Sequence, residues 1–284
     1  MLGSEVELCA GDVILPETLD AALHGTGLVF HAAGIPEQWQ KDESIFDRVN
    51  RGGTANLLRA ACRAGVGRVV YTSTMDVFAA PRGGVLVETN LDPDPKPTAY
   101  ERSKQAAERE VEALFADGLD VVLVNPGAVY GPSPVVTVLN VFFSRLLAGK
   151  VPLLPLGGMP VAFVDGVAAA HVDAAERGKR GERYLVADEH VSMQQLATAI
   201  LNAEGRGRRA PGVAPAWLLQ VLARGTAPLA RAFGFTPLIA PGELSFVLWN
   251  VRVDASKAKR ELGFQPTALA DGVQKTVAAL ARRT

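Results

Sequence analysis

Short apolar runs alternate with longer amphipathic stretches through the first half of the chain. Residues 6–10, 28–32, 68–72 and 120–124 are brief runs dominated by Val, Leu and other apolar side chains. That length and composition predict short, buried parallel strands. Between them, residues 16–23, 46–64 and 99–115 carry apolar positions at helical spacing. Pro16 followed by Glu17 suits a helical first turn, and Gly65 and Gly118 stand where helices should end. Strand alternating with helix predicts an α/β fold, a doubly wound parallel sheet.

Beyond Pro132 the texture changes. Residues 138–147 predict a helix ending at Gly149, residues 183–186 a strand, and residues 192–203 a helix with Ser192 as its N-cap. Residues 79–97, rich in Pro, Gly and Asp, predict an exposed loop. Residues 211–249 carry Trp217, Val221, Leu222, Phe233, Phe235, Leu238, Phe246 and Trp249 with few charges. Such a segment is the core of a smaller domain, the lining of an apolar substrate pocket, or a membrane-surface element.

Composition narrows the function classes. The chain has 284 residues, 48% hydrophobic and 21% charged, enough for a large core in one or two domains. A net charge of -1 argues against nucleic acid as a partner. Cys9 and Cys62 both fall in apolar surroundings, which predicts buried thiols, no disulfide framework and a reducing, cytoplasmic compartment. No signal peptide is visible at the N-terminus, and no uncharged apolar run is long enough to span a bilayer. His24, His171 and His190 lack metal-ligand spacing, so no metal is expected, and the absence of a Gly-x-Ser-x-Gly elbow argues against a serine hydrolase.

The chemistry concentrates at Tyr100 and Lys104. Four residues apart on a helix, they share one face. An ammonium beside a phenol favours the phenolate, lowering a pKa that is ordinarily about 10 toward neutrality. Upstream, an apolar strand breaks into Thr72, Ser73 and Thr74; downstream, another breaks into Asn125, Pro126 and Gly127. A hydroxyl at such a strand end can hold a substrate oxygen while the phenol exchanges its proton.

Five motifs in order make the chain resemble the extended short-chain dehydrogenase/reductase family, the NAD-dependent epimerase/dehydratase superfamily. They are Gly-Asp-Val at 11–13, His-Ala-Ala-Gly at 31–34, Val-Asn-Arg-Gly-Gly-Thr at 49–54, Asn-Pro-Gly-Ala-Val-Tyr-Gly-Pro at 125–132 and Leu-Gly-Phe-Gln-Pro at 262–266. Asn125 stands where the family has Arg, and Gly166 where it has a second Asp in Phe-Val-Asp-Asp-Val-Ala. The apolar segment 211–249 resembles the lid of the 3β-hydroxysteroid dehydrogenase and dihydroflavonol reductase-like branch, including hopanoid-associated sugar-epimerase-like proteins.

The resemblance implies a Rossmann-like NAD(P)-binding domain over 1–134 and 158–188, and a smaller, mostly helical substrate domain over 135–157 and 189–284. Thr74, Tyr100 and Lys104 are the implied catalytic residues. The implied cofactor contacts are Asp12, Val13, His31, Ala32, Ala33, Gly34, Thr72, Tyr100, Lys104, Pro126, Gly127 and Val129, with Asp12 at the adenine and Asn50 in support. NAD or NADP is the implied cofactor; the residue that selects between them belongs to a second strand that would precede residue 6.

The family's opening Gly-x-x-Gly-x-x-Gly turn would also precede residue 6. We expect Met1 to be an internal methionine of a longer frame; the alternative is a chain without that phosphate cradle, expected to bind NAD(P) more weakly than low micromolar. The implied activity interconverts a secondary alcohol and a ketone on an apolar, steroid- or terpenoid-like substrate. Between residues 132 and 160 the cations are Arg145 and Lys150, few for a nucleotide diphosphate. A nucleotide-sugar epimerase is the alternative, and a catalytically dead or regulatory relative the second. A small-molecule substrate is the expected partner, with a homodimer through the helices of residues 46–64 and 99–115.

Overall fold

The computed structural model describes residues 6–36, 40–116, 118–133, 137–233 and 241–282. Its strands are β1 (Leu28–His31), β2 (Arg68–Thr72), β3 (Val121–Pro126), β4 (Ala128–Tyr130), β5 (Gly158–Phe163), β6 (Arg183–Val186) and β7 (Glu189–Ser192), with a few two- and three-residue pairs besides. The central sheet is parallel throughout, in the order β1-β2-β3-β6. Its α-helices of five or more residues are α1 (Leu19–Leu23), α2 (Thr54–Ala64), α3 (Ala99–Ala116), α4 (Val138–Leu147), α5 (Val164–Arg177), α6 (Met193–Glu204), α7 (Ala216–Phe233), α8 (Pro241–Trp249), α9 (Ser256–Glu261) and α10 (Leu269–Ala281).

Burial on both faces explains the continuous apolar runs of β2 and β3. Val69, Tyr71, Val121 and Leu123 pack with Leu58 and Ala61 of α2 and with Ala107 and Val111 of α3. Val70, Val122 and Val124 face the other way, onto Ala170 and Ala174 of α5 and Ala258 of α9. A second sheet sets β5 parallel to β4 and antiparallel to β7. Its core joins Phe143 of α4, Leu196 and Ile200 of α6 and Val273 of α10.

The strand expected at residues 6–10 does not form. That segment is exposed coil, with Leu8 82% exposed, and pairs with no strand among the described residues, which leaves the outer side of β1 as the open edge of the sheet. Edge position also leaves Leu28 and Phe30 of β1 exposed while Val29 and His31 turn inward. The helix expected over 46–64 is split into a π-helical turn, Asp47–Gly53, and α2. Cys9 and Cys62 are exposed rather than buried: one lies in the coil before α1, the other on the solvent side of α2.

Other expectations hold. Ser192 caps α6 through a capping box with Gln195, and Gly65 ends α2 with φ 70°. The 79–97 loop contains a two-residue strand, Val85–Leu86, paired with Arg252–Val253. Residues 211–249 supply α7 and α8; Leu219, Ala223, Leu244 and Leu248 form a small core, whereas Trp217, Val221 and Leu222 are exposed. Phe235 and Leu238 of that segment, and the expected domain boundary at residues 134–135, lie outside the described residues.

Candidate active site

Strand β2 and helix α3 build the site. The β2 register continues one residue past the strand, where the Ser73 amide donates to the Val124 carbonyl at 2.8 Å. Thr74 then takes an extended conformation (φ -153°, ψ 154°) and caps the short helical turn Met75–Val77, its hydroxyl accepting from the Asp76 amide at 3.2 Å. Helix α3 starts on a reciprocal pair: the Glu101 amide donates to Thr98 Oγ1, and the Thr98 amide donates to the Glu101 carboxylate. From that start, Tyr100, Lys104 and Glu108 follow at four-residue intervals, and all three are buried.

The Tyr100 ring meets Phe46 edge-on, with centroids 5.9 Å apart, and its phenol lies near the Thr74 hydroxyl and the Asp76 carboxyl. Burial, then the Asp76 carboxyl, push the phenol well above its ordinary pKa. The sequence led us to expect the Lys104 ammonium to pull that pKa down. Instead the ammonium donates to the Tyr71 hydroxyl at 2.8 Å and to the Thr72 carbonyl at 2.9 Å. Burial lowers the Lys104 pKa to about 8, against a smaller opposing pull from Glu108.

Several residues of this site were not singled out as functional from sequence. Asn125, in the place of the family's Arg, is fully buried and donates to the Thr74 carbonyl (3.0 Å) and to Glu108 (2.8 Å). Glu108 in turn accepts from Arg183 of β6 at 2.7 Å. A continuous polar chain thus fixes Thr74 from behind. Glu108 carried a readable signal, one helical turn beyond Lys104; Tyr71, inside an apolar strand, carried none. Asp76 stands directly beside Thr74, its Oδ2 2.9 Å from the Thr74 hydroxyl.

The expected cofactor residues divide. His31 is buried, 3.0 Å from Thr54 Oγ1 and stacked on Tyr71; burial, then Lys104, hold its pKa down to about 3. It is a neutral interior group. The Thr72 hydroxyl turns to His171 of α5 at 2.7 Å, and only its carbonyl faces Lys104. Ala32, Ala33 and Gly34 form an exposed loop beyond β1, held to α3 through Asn50, which bonds both Ile35 and Ser103. Asp12 and Val13 are tied to the same end of the sheet: Asn56 of α2 donates to the Val13 carbonyl, and Val13 covers Gly53 so closely that a Cβ there would sit 2.6 Å from it. Pro126 ends β3, Gly127 follows it, and Val129 lies in β4.

The loops after β1, β2 and β3 therefore open at one edge of a parallel sheet, the carboxyl edge where such folds take their ligands. Lys104 keeps one ammonium hydrogen beyond the two bonded to Tyr71 and Thr72, and the buried Ser73 hydroxyl has no partner. These donors fit the hydroxyls of a nicotinamide ribose. Among the described residues no group of three His, Cys, Asp or Glu side chains is placed to hold a metal, and no helix is long and apolar enough to cross a membrane.

Comparison with known proteins assigns the chain to a family. Residues 2–187 match the NAD dependent epimerase/dehydratase family, and the chain belongs to it. It is 33% identical to sterol demethylase protein B of Methylococcus capsulatus, over 95% of this chain and 85% of that one. It is 30% identical to 3 beta-hydroxysteroid dehydrogenase/Delta 5-->4-isomerase of Mycobacterium tuberculosis, over 92% of this chain and 75% of that one. The structure of UDP-glucuronic acid 4-epimerase from Bacillus cereus, solved with UDP-glucuronic acid and NAD, superposes with a TM-score of 0.76 over 100% of this chain and 84% of that one; at 19% identity the likeness is one of fold.

Proposed function

We propose that this member of an NAD-dependent family is an oxidoreductase that interconverts a secondary alcohol and a ketone on an apolar, steroid- or terpenoid-like molecule. The observation that carries the reading is the convergence of the Tyr100 phenol, the Thr74 hydroxyl and the buried Lys104 ammonium at the carboxyl edge of the sheet, where Lys104 donates to the Thr72 carbonyl at the end of β2. The names of the sterol demethylase and 3β-hydroxysteroid relatives support the substrate class. So does the scarcity of cations between residues 137 and 160, where only Arg145 and Lys150 occur.

In this reading Tyr100 exchanges a proton with the substrate oxygen, and its raised pKa keeps it a phenol ready to donate toward a ketone. Thr74 orients that oxygen and bonds the charge that develops on it. Lys104 holds the ribose of the nicotinamide with its remaining hydrogen and places positive charge beneath the site. NAD, or NADP, supplies or accepts the hydride when bound. Asn125, Glu108 and Arg183 hold the Thr74 backbone in place, a positioning task that depends on their burial.

The same reading assigns residues 1–134 and 158–188 to cofactor binding, 135–157 and 189–284 to substrate binding, and the protein to the cytoplasm. It pairs two copies through the helices of residues 46–64 and 99–115, whose outer faces carry the Arg51–Glu110–Arg59 cluster. Light scattering that finds a monomer at micromolar concentration removes the dimer.

The direct test is Tyr100→Phe assayed with a 3β-hydroxysteroid and NAD. Hydride transfer should fall at least about 100-fold while NAD affinity stays within a few-fold. Turnover at the wild-type rate refutes the assignment. Epimerisation of a UDP-sugar by the purified protein, without added NAD, would replace it with the epimerase reading.

A further inference from the structure

The two oxygens of the buried Asp76 carboxyl are treated unequally. Oδ2 lies 2.9 Å from Thr74 Oγ1, whereas Oδ1 has no hydrogen-bonding partner. The charged and titratable groups facing Asp76 come from two sides. Tyr100 and Glu101 approach from α3, and Lys96 from the loop before it. Lys96 is engaged elsewhere, donating to the Phe78 carbonyl at 2.6 Å and pairing with Asp92 at 2.7 Å. An ionised carboxylate with one bare oxygen is costly to bury, whereas a neutral acid needs a single acceptor for its proton.

Thr74 Oγ1 is placed to be that acceptor. A hydroxyl offers one hydrogen and two lone pairs, and one lone pair already receives the Asp76 amide. A 2.9 Å oxygen–oxygen contact is compatible with either direction of donation. With the carboxyl ionised, the Thr74 hydrogen goes to Oδ2. With it neutral, the carboxyl O–H fills the second lone pair of Thr74, and the Thr74 hydrogen is left for the side on which Tyr100 stands.

We propose that Asp76 is a positioning residue whose neutral acid form turns the Thr74 hydroxyl hydrogen toward the substrate oxygen, and whose ionisation withdraws it. The catalytic consequence rests on the alcohol–ketone reading; the protonation state does not. Burial, then Glu101, push the Asp76 pKa up to about 7, against the pull of Thr74 and Lys96. As pH rises through that value, the carboxylate recaptures the Thr74 hydrogen and the substrate oxygen loses a donor.

Carbon-13 NMR of protein labelled at its aspartate carboxyls tests the first half, with Asp76→Asn, or Thr74→Val should that variant not fold, identifying the resonance. Asp76 should titrate near neutrality, and Thr74→Val should move its midpoint up, because the ionised form loses its donor; Thr74→Ser should not. The pH dependence of kcat for reducing a 3-ketosteroid with NADH tests the second half. Wild type should show a falling limb near pH 7. Asp76→Asn, whose amide donates to Thr74 at every pH, should lack it. An Asp76 midpoint in the ordinary range near about 4, or a limb that persists in Asp76→Asn, overturns the proposal. Wild type that reduces no 3-ketosteroid removes the substrate reading instead, and the carboxyl titration then decides the role of Asp76 alone.

Discussion

The Lys104 ammonium donates to the Tyr71 hydroxyl at 2.8 Å and lies 4.5 Å from the centre of the same ring. A charge is thereby lodged under the end of β2, at a side chain 6% exposed. The fold holds it there against the cost of desolvation, which is what lowers its pKa from 10.5 to about 8.

Lys104→Met should therefore inactivate the protein and stabilise it. The penalty for burying the ammonium is fully present below pH 8 and fades as pH rises toward 10.5. At pH 7 the shift corresponds to about 3 kcal/mol, of which lost hydrogen bonds to Tyr71 and Thr72 return part. Chemical denaturation at pH 7 should show a net gain of about 1 kcal/mol or more. A loss of stability means that the two bonds outweigh desolvation.

His31 should make the fold acid-sensitive. Its pKa is 6.5 in the unfolded chain and about 3 in the folded one. Above pH 6.5 both states are neutral and nothing is lost. As pH falls from 6.5 toward 3, the unfolded chain takes up a proton that the folded one refuses, and stability drops by about 1.4 kcal/mol per pH unit. His31→Phe keeps the ring against Tyr71 and should flatten this part of the stability–pH curve; an unchanged slope assigns the acid sensitivity to other groups.

Arg183 and Glu108 should be strongly coupled. Glu108 is 3% exposed, and its charge is met by Arg183 Nε at 2.7 Å and by Asn125. Arg183→Met strands that carboxylate and should cost about 3–5 kcal/mol. Adding Glu108→Gln should recover a large part, since the remaining amide carries no charge. Additive losses in the double variant would show that the pair is not an energetic unit.

Gly127→Ala should damage the crossing between the two sheets. A Cβ there would sit 2.7 Å from the Pro160 carbonyl, which belongs to the backbone of β5 and cannot rotate away. The cost should be about 1–3 kcal/mol. A melting temperature equal to wild type would show that β3 and β5 have room to separate.

The alternation of apolar runs with amphipathic stretches determined β1, β2, β3 and α3 by itself, because strands buried on both faces must be apolar throughout and their connecting helices must bury one face. The same local logic placed the Ser192 cap and the Gly65 turn. It also brought Tyr100, Lys104 and the hydroxyls of Thr72, Ser73 and Thr74 to notice, since a four-residue helical step and a broken strand are both written in neighbouring positions; the choice of Thr74 among the three came from the family resemblance. Which group Lys104 would touch was not written there. The ammonium could reach either phenol, and only the packing of α3 against β2 decided for Tyr71. Residues 6–10 read as a strand because an apolar run carries no information on whether a neighbouring ladder exists to pair with it. Cys62 read as buried because a thiol's neighbours in sequence do not say which side of α2 it occupies. The Thr74–Asn125–Glu108–Arg183 chain joins β2, β3, α3 and β6 through contacts between residues far apart in sequence. Tertiary structure alone could assemble it, because the burial that makes those polar groups seek one another exists only once the sheet has formed.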